Sequence, residues 1–402
     1  MELGDVVLWM LVGAALLPAH RAAWEEGLPH LVAMVLLDLI VLSFVGIAAT
    51  SERQWSRLAQ EDGVIEWATV AAFLGAAALH GAHARRTWRR RPGPPWLERV
   101  ARVSIGLFCV FVAGEEISWG QRLFAFKPPD AFLERNYQQE LNVHNVLMDE
   151  SGLGFALESK HLVAGIAVAF VVLLPLLVRS RFLAGARAVA PSLVLLPAGL
   201  LVLAAELSYP VELTGEGAEL LLGLVLLSAA ALEGRPRAST VALAVVAPVV
   251  FGLGVAPLVA RVSFGDDEAG SVAARAELSL LRRDVEQAGA TPKLLHKGSV
   301  HKRIFTATRD GYLSLSGKNF LEGQGTAAEA ADGAGAARRD RRGYFLDPWN
   351  NPYWIAWNRE KGRVALYSFG PNRLRDTSVR DSDTAAGDDL MEVFVLPPAA
   401  RD

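Results

Sequence analysis

The chain has 402 residues, 52% of them hydrophobic and 21% charged, with a formal charge of −3 and one cysteine. A soluble protein is usually about 45–50% apolar and about 25% charged, so the balance is tilted toward the membrane. Together with the crowding of apolar residues between Leu31 and Ala260, it excludes a single soluble globule, a disulfide-stapled secreted domain and a basic nucleic-acid binder.

The chain opens on an apolar run, Val6–Leu17, preceded by Glu2 and Asp5. A signal peptide carries Lys or Arg at that place, so the run reads as a short first membrane span. A bilayer core needs roughly 20 apolar residues in a helix. Candidate spans are 5–19, 31–49, 64–82, 101–116, 161–178, 190–206, 217–233 and 239–260. These are unalternating Leu/Ala/Val runs, which satisfy their backbone as helices rather than barrel strands. The expected fold class is a polytopic α-helical membrane bundle of eight transmembrane helices, or seven without the first, plus a small extracytoplasmic α+β domain. Cys109, inside the fourth span, reads as a small buried hydrophobe.

Charge in the connections sets the orientation. Residues 83–100 carry Arg85, Arg86, Arg89, Arg90, Arg91 and Arg99 against Glu98 alone, and 179–189 carry Arg179, Arg181 and Arg187 with no acid. Residues 234–238 add Arg235 and Arg237, and the alternate connections are acidic. The arginine-rich side is therefore expected to be cytoplasmic. Residues 1–262 form the bundle, with an outer-face loop at 117–160, and 263–402 face the extracytoplasmic side. Trp24, Trp55, Trp67, Trp88, Trp96 and Trp119 fall near span ends, where an aromatic belt anchors.

Within the second span, Asp38 carries a carboxylate that costs on the order of 3 kcal/mol at bilayer depth, so it faces the bundle, a water cavity or a structural partner. At the outer face gather Glu66, Glu115, Glu116, His144 and His161, with Glu206, Glu216 and Glu219 at other span ends. Glutamates and histidines at one depth bind a divalent cation or act as acid and base on a lipid headgroup; the alternative is a solvated rim. Glu115 and Glu116 point roughly 100° apart on a helix and cannot both face one point. Residues 124–150 read as helical rather than extended, broken from the fourth span by Pro128-Pro129.

The strings GEEISWGQ (114–121) and Asn136-x-Gln138-x-Glu140-x-Asn142-x-His144-Asn145 resemble those of a group of bacterial polytopic membrane proteins. The resemblance covers about residues 60–160. It implies a recurring module and assigns no chemistry.

Beyond the last span, 271–290 has Val272, Ala276, Leu278, Leu280, Leu281 and Val285 approximating one helix face. Short β-leaning pieces follow at 300–316 around Asp310-Gly311, and then a flexible insertion at 322–343. In GYFLDPWNNPYWIAWNREKGRVALYSFGPN, Tyr353, Ile355 and Trp357 alternate, as do Val364, Leu366 and Ser368, which predicts a hairpin turning at 358–362. An acidic loop comes next and MEVFVL closes as a strand.

This order resembles the globular domain of the type II secretion major pseudopilin, over about 268–396. Asp347, Pro348, Trp349, Asn351, Pro352 and Tyr353 match its first motif, and Tyr367, Ser368 and Gly370 its second. The resemblance implies a loop that binds calcium. Asn372 stands at the first loop acid, Asp388 and Asp389 near the last, and Asp381 and Asp383 are extra acids. Independently, an Asp-rich loop can supply the six to eight oxygens that Ca²⁺ takes, with extracellular sites binding at about 10⁻⁴–10⁻³ M. The competing reading is a solvated loop neutralised by Arg373, Arg375 and Arg380. The preceding span lacks the early glutamate of a pseudopilin helix, so pilus assembly is not expected.

No GxSxG, P-loop or zinc motif is present, which favours a non-enzymatic envelope protein docking to envelope or secretion components. The alternatives are a hydrolase or transferase acting on membrane lipid through the outer-face Glu/His set, and a transporter resting on Asp38 and Glu206.

Overall fold

The computed structural model describes residues 3–60, 63–88, 96–124, 126–136, 139–143, 159–178, 184–211, 213–234, 236–262, 268–287, 298–299, 345–358, 362–372, 376–377 and 384–395. The β-leaning pieces at 300–316, the insertion at 322–343, and His144, Asp381 and Asp383 lie outside them. The chain divides into two compact units, Met1–Ile117 with Ser151–Pro257, and Ser118–Glu150 with Leu258–Asp402.

In chain order the helices are α1 (Leu3–Glu26), α2 (Leu28–Thr50), α3 (Glu52–Ala59), α4 (Val64–Trp88), α5 (Trp96–Glu116), α6 (Gln121–Phe124) and α7 (Asp130–Arg135). Then come α8 (Ser159–Ala167), α9 (Leu196–Ser208), α10 (Thr214–Ala231), α11 (Ala238–Val262) and α12 (Glu268–Gln287). Five helices among the described residues are long and apolar enough to cross a membrane: Gly4–Glu26, Leu28–Thr50, Arg57–Trp88, Thr214–Ala231 and Ala238–Val259. Val163–Leu177 and Leu193–Ser208 are apolar but shorter. α5 falls outside the five because Glu98, Arg99, Arg102, Glu115 and Glu116 interrupt it. After α8 the helix widens into a π-turn at Val168–Leu173 before Leu174–Leu177. Pro175 explains this, since it has no N–H to give and its ring crowds the carbonyl of Val171.

The core of the first unit is built around α10, where every residue from Leu220 to Ser228 is buried. A helix apolar all round belongs at the centre of a bundle. It packs on α4, with Gly223 set against Ala72 and Phe73 and Leu227 against Gly75. Two tryptophans expected at the interface are instead core residues: Trp55 and Trp67 are buried, Trp55 edge-on to Phe44 at 5.9 Å. Trp24, Trp88, Trp96 and Trp119 are exposed, as an anchoring belt requires.

Asp38 finds a structural partner in His20 of α1, Nε2 to Oδ2 at 2.8 Å. A second polar cluster ties α4, α5 and the end of α10. Arg102 is fully buried and donates from Nε and Nη2 to Glu98 Oε1 at 3.0 and 2.9 Å, and from Nη1 and Nη2 to Glu233. His83 places Nε2 3.2 Å from the Ala230 carbonyl and Nδ1 3.6 Å from Glu233.

In the second unit, β1 (Gly298–Ser299), β2 (Trp354–Asn358), β3 (Arg363–Ser368) and β4 (Leu390–Val395) form an antiparallel sheet in sequential order. The hairpin register runs from Asn358↔Arg363 to Trp354↔Tyr367, which realises the alternation read in sequence. The helix α12 covers one face. Its buried stripe is Ala274, Leu278, Leu281 and Val285, packed with Ile355, Val364, Leu366 and Phe394. Val272 and Ala276, expected on that stripe, are exposed, because the i, i+4, i+7, i+11 spacing starts at Ala274. Trp354, Ala356, Tyr367 and Phe369 pack on the other face, the Trp354 and Phe369 rings stacked at 5.8 Å.

Asp347 fixes the turn that enters the hairpin. Its Oδ1 accepts from the N–H groups of Trp349 and Asn351 at 3.0 and 2.9 Å, and its Oδ2 accepts from Ser368 Oγ at 2.5 Å. Nearby, Tyr353 donates its hydroxyl to the buried Glu277 of α12 at 2.7 Å, tying helix to sheet.

Candidate functional site

Two acidic groups form in separate units. In the bundle, Glu116 at the end of α5 meets Glu216 and Glu219 of α10, with one carboxylate oxygen of each within 4.8 Å of the others. Glu116 hydrogen-bonds Glu219, and the charges of Glu216 and Glu66 reach the same carboxyl. On the α9 side, Tyr209 lies within electrostatic reach of Glu206, Glu216 and Glu219. Two of the residues singled out in sequence lie outside this group. Glu115, buried, is not in the group, in keeping with its 100° offset from Glu116. His161 is exposed on α8 and is not in the group either. Glu216 and Glu219 were visible in sequence only as span-end acids, since their azimuth on α10 was unknown.

Ser118 and Gln121 of the first string meet Asn136, Glu140 and Asn142 of the second in the second unit, as a buried polar knot. Ser118 Oγ donates to Glu140 Oε2 at 2.7 Å, and Asn142 Nδ2 donates to the same oxygen at 3.1 Å. Asn136 Nδ2 reaches Asn142 Oδ1 and the Glu140 carbonyl, both at 2.6 Å. Gln121 Oε1 accepts from the Leu141 N–H at 2.7 Å. Ser118 and Trp119 take positive φ values of 44° and 52°, a conformation bulky residues adopt only where surroundings enforce it. Of the helix expected across 124–150, α6 and α7 and Val143 are helical among the described residues, Asn136 and 139–142 belong to the knot, and 144–150 lie outside the described residues.

In the α+β domain the acidic loop folds back on itself. Asp376, Asp388 and Asp389 bring carboxylate oxygens within 4.8 Å of one another. Two glycines permit it. Gly370 (φ 69°) and Gly387 (φ 60°) take the left-handed region, and a Cβ on either would collide with Asp388 or Asp376. Asn372 is placed as a donor: its N–H gives to Asp388 Oδ2 at 2.8 Å and its Nδ2 to Asp376 Oδ2 at 2.9 Å. Asp389 Oδ2 accepts from the Thr377 N–H at 2.7 Å. The remaining oxygens, Asp388 Oδ1 and Asp389 Oδ1, are buried with no hydrogen-bond partner.

This geometry acts on the carboxyls. Burial, with the charges of Asp376 and Asp388 nearby, pushes Asp389 up to about 7 against the Thr377 hydrogen bonds that pull it down. Burial also raises Asp388 above the usual carboxylate range. Asp376 was not in the sequence-derived ligand set; its place four residues after Asn372 on the same loop was the available signal.

No family model, curated protein or solved structure matches the chain.

Proposed function

We propose that this is a multi-pass protein of the bacterial inner membrane. Its seven or eight spans hold an extracytoplasmic domain of the pseudopilin kind, stabilised by Ca²⁺, that docks to other envelope or secretion components. The observation that carries the calcium reading is the pair of buried, unpartnered oxygens on Asp388 and Asp389 beside Asp376. A buried carboxylate oxygen without a donor is costly, and a hard divalent cation is the ligand that satisfies several at once. Asp376, Asp388 and Asp389 would hold the ion and Asn372 would position two of them, with Asp381 and Asp383 as further acids on the same loop. The ion's role there is to close the loop against the hairpin.

The test is hydrogen exchange of peptides covering 362–395 in the full chain, with calcium and with chelator. Calcium at about a hundred times its dissociation constant should stabilise this region by about 2.7 kcal/mol. Asp388→Asn with Asp389→Asn should remove the response. Equal exchange with calcium and chelator overturns the proposal.

A second reading, favoured by the convergence of Glu116, Glu216 and Glu219, is a hydrolase or transferase acting on a membrane lipid. Carboxyls held against one another in this way are the equipment of general acid–base chemistry. Lipid turnover by the purified chain that Glu116→Gln abolishes supports it, and turnover indifferent to that change ends it.

A further inference from the structure

The arginine-rich end of the bundle has more cations than its carboxylates can serve. Glu98 and Glu233 are both committed to the fully buried Arg102, and Glu233 also faces His83. Antiparallel packing of α4 on α5, with Gly106 facing the Ala77 carbonyl, sets Arg85 and Arg86 level with the start of α5. Neither Arg85, Arg86 nor Arg99 has a carboxylate within ion-pair distance among the described residues. Arg99 goes further, because its Nε is buried with no hydrogen-bond acceptor. A guanidinium N–H shielded from water and left unmade is expensive, so an acceptor from outside the chain belongs there. On the same segments Trp88 and Trp96 are 57% and 72% exposed. Amphipathic rings so exposed at helix ends mark headgroup depth.

We propose that this end of the bundle binds an anionic phospholipid, Arg99 taking the phosphate between Trp88 and Trp96 while Arg85 and Arg86, on neighbouring azimuths of α4, supply the cationic field around it. The guanidinium fork matches a phosphate's paired oxygens, and the indole rings lie against glycerol and the upper acyl chain. Free inorganic phosphate offers the same oxygens. The exposed tryptophans favour the lipid, because only the lipid gives them an apolar body to cover.

The experiment titrates the full chain in detergent with phosphatidylglycerol, with phosphatidylcholine and with inorganic phosphate, reading bound lipid by native mass spectrometry and melting temperature in parallel. Phosphatidylglycerol should bind and raise the melting temperature, and phosphatidylcholine should not. The triple change Arg85→Gln, Arg86→Gln, Arg99→Gln should weaken phosphatidylglycerol binding roughly a hundredfold, since each basic residue near an anionic lipid surface contributes about 1 kcal/mol, or about fivefold, and the three multiply. Should the triple variant fail to fold, Arg99→Gln alone keeps the test and should weaken binding several-fold. Binding unchanged in either folded variant overturns the site, and inorganic phosphate competing at the same concentrations as the lipid overturns the lipid assignment.

Discussion

Replacing Arg102 with alanine is expected to lower the stability of the bundle by about 3–5 kcal/mol, read as a large drop in melting temperature in detergent and a loss of monomer on gel filtration. The side chain is fully buried and forks between Glu98 and Glu233, so its removal leaves two carboxylates in the interior with only the histidines His80 and His83 beside them. The cost lies mainly in those stranded charges rather than in the lost attraction. A neutral replacement of the whole group, Arg102→Met with Glu98→Gln and Glu233→Gln, should therefore recover much of what Arg102→Ala loses. Removing one member of a buried pair is far worse than replacing all of them by uncharged groups. An unchanged melting temperature for Arg102→Ala would mean that water reaches the group.

The second large effect is a reversal of pH dependence by calcium in the α+β domain. Without calcium, Asp389 titrates near 7 in the folded state and near the ordinary aspartate value when unfolded. The folded state then binds more protons between these values, so stability is greatest below the unfolded value and falls as pH rises toward 7. The span between the two corresponds to a loss on the order of 4 kcal/mol. With calcium bound the sign inverts, because protons compete with the ion for the same oxygens and metal affinity rises with pH. Hydrogen exchange of 362–395 from pH 5 to 8, in chelator and in calcium, should give slopes of opposite sign. Parallel slopes would separate the ion from Asp389. Asp389→Asn should flatten the chelator curve.

The hairpin was legible because alternation is local: Ile355 and Val364 face the helix, and Trp354 and Tyr367 the other side, as a period of two requires. The face of α12 was less so. Apolar residues stand on two sides of it, and only contact with the sheet selects Ala274, Leu278, Leu281 and Val285 over Val272 and Ala276. In the bundle, hydropathy located the long apolar helices, while the partners inside it depend on helix rotation. His20 and Asp38 meet across the α1–α2 turn, and Glu116 meets residues about a hundred positions away. Span-end position placed Glu216 and Glu219 at the right level without saying which carboxylates share a point. Trp55 and Trp67 show the same limit, because proximity to a span end does not distinguish an anchoring ring from one turned into the core. The polar knot was visible as two polar strings, and their mutual hydrogen bonding follows from the left-handed turn at Ser118 and Trp119.

The central claim, a calcium ion held by Asp376, Asp388 and Asp389, is tested most directly by calorimetric titration of calcium into the full chain in detergent. The account predicts a binding event in the range of about 10⁻⁴–10⁻³ M that is lost in Asp389→Asn and kept in Glu116→Gln. Calcium binding that survives Asp389→Asn, or no calcium binding by the folded chain, would contradict it.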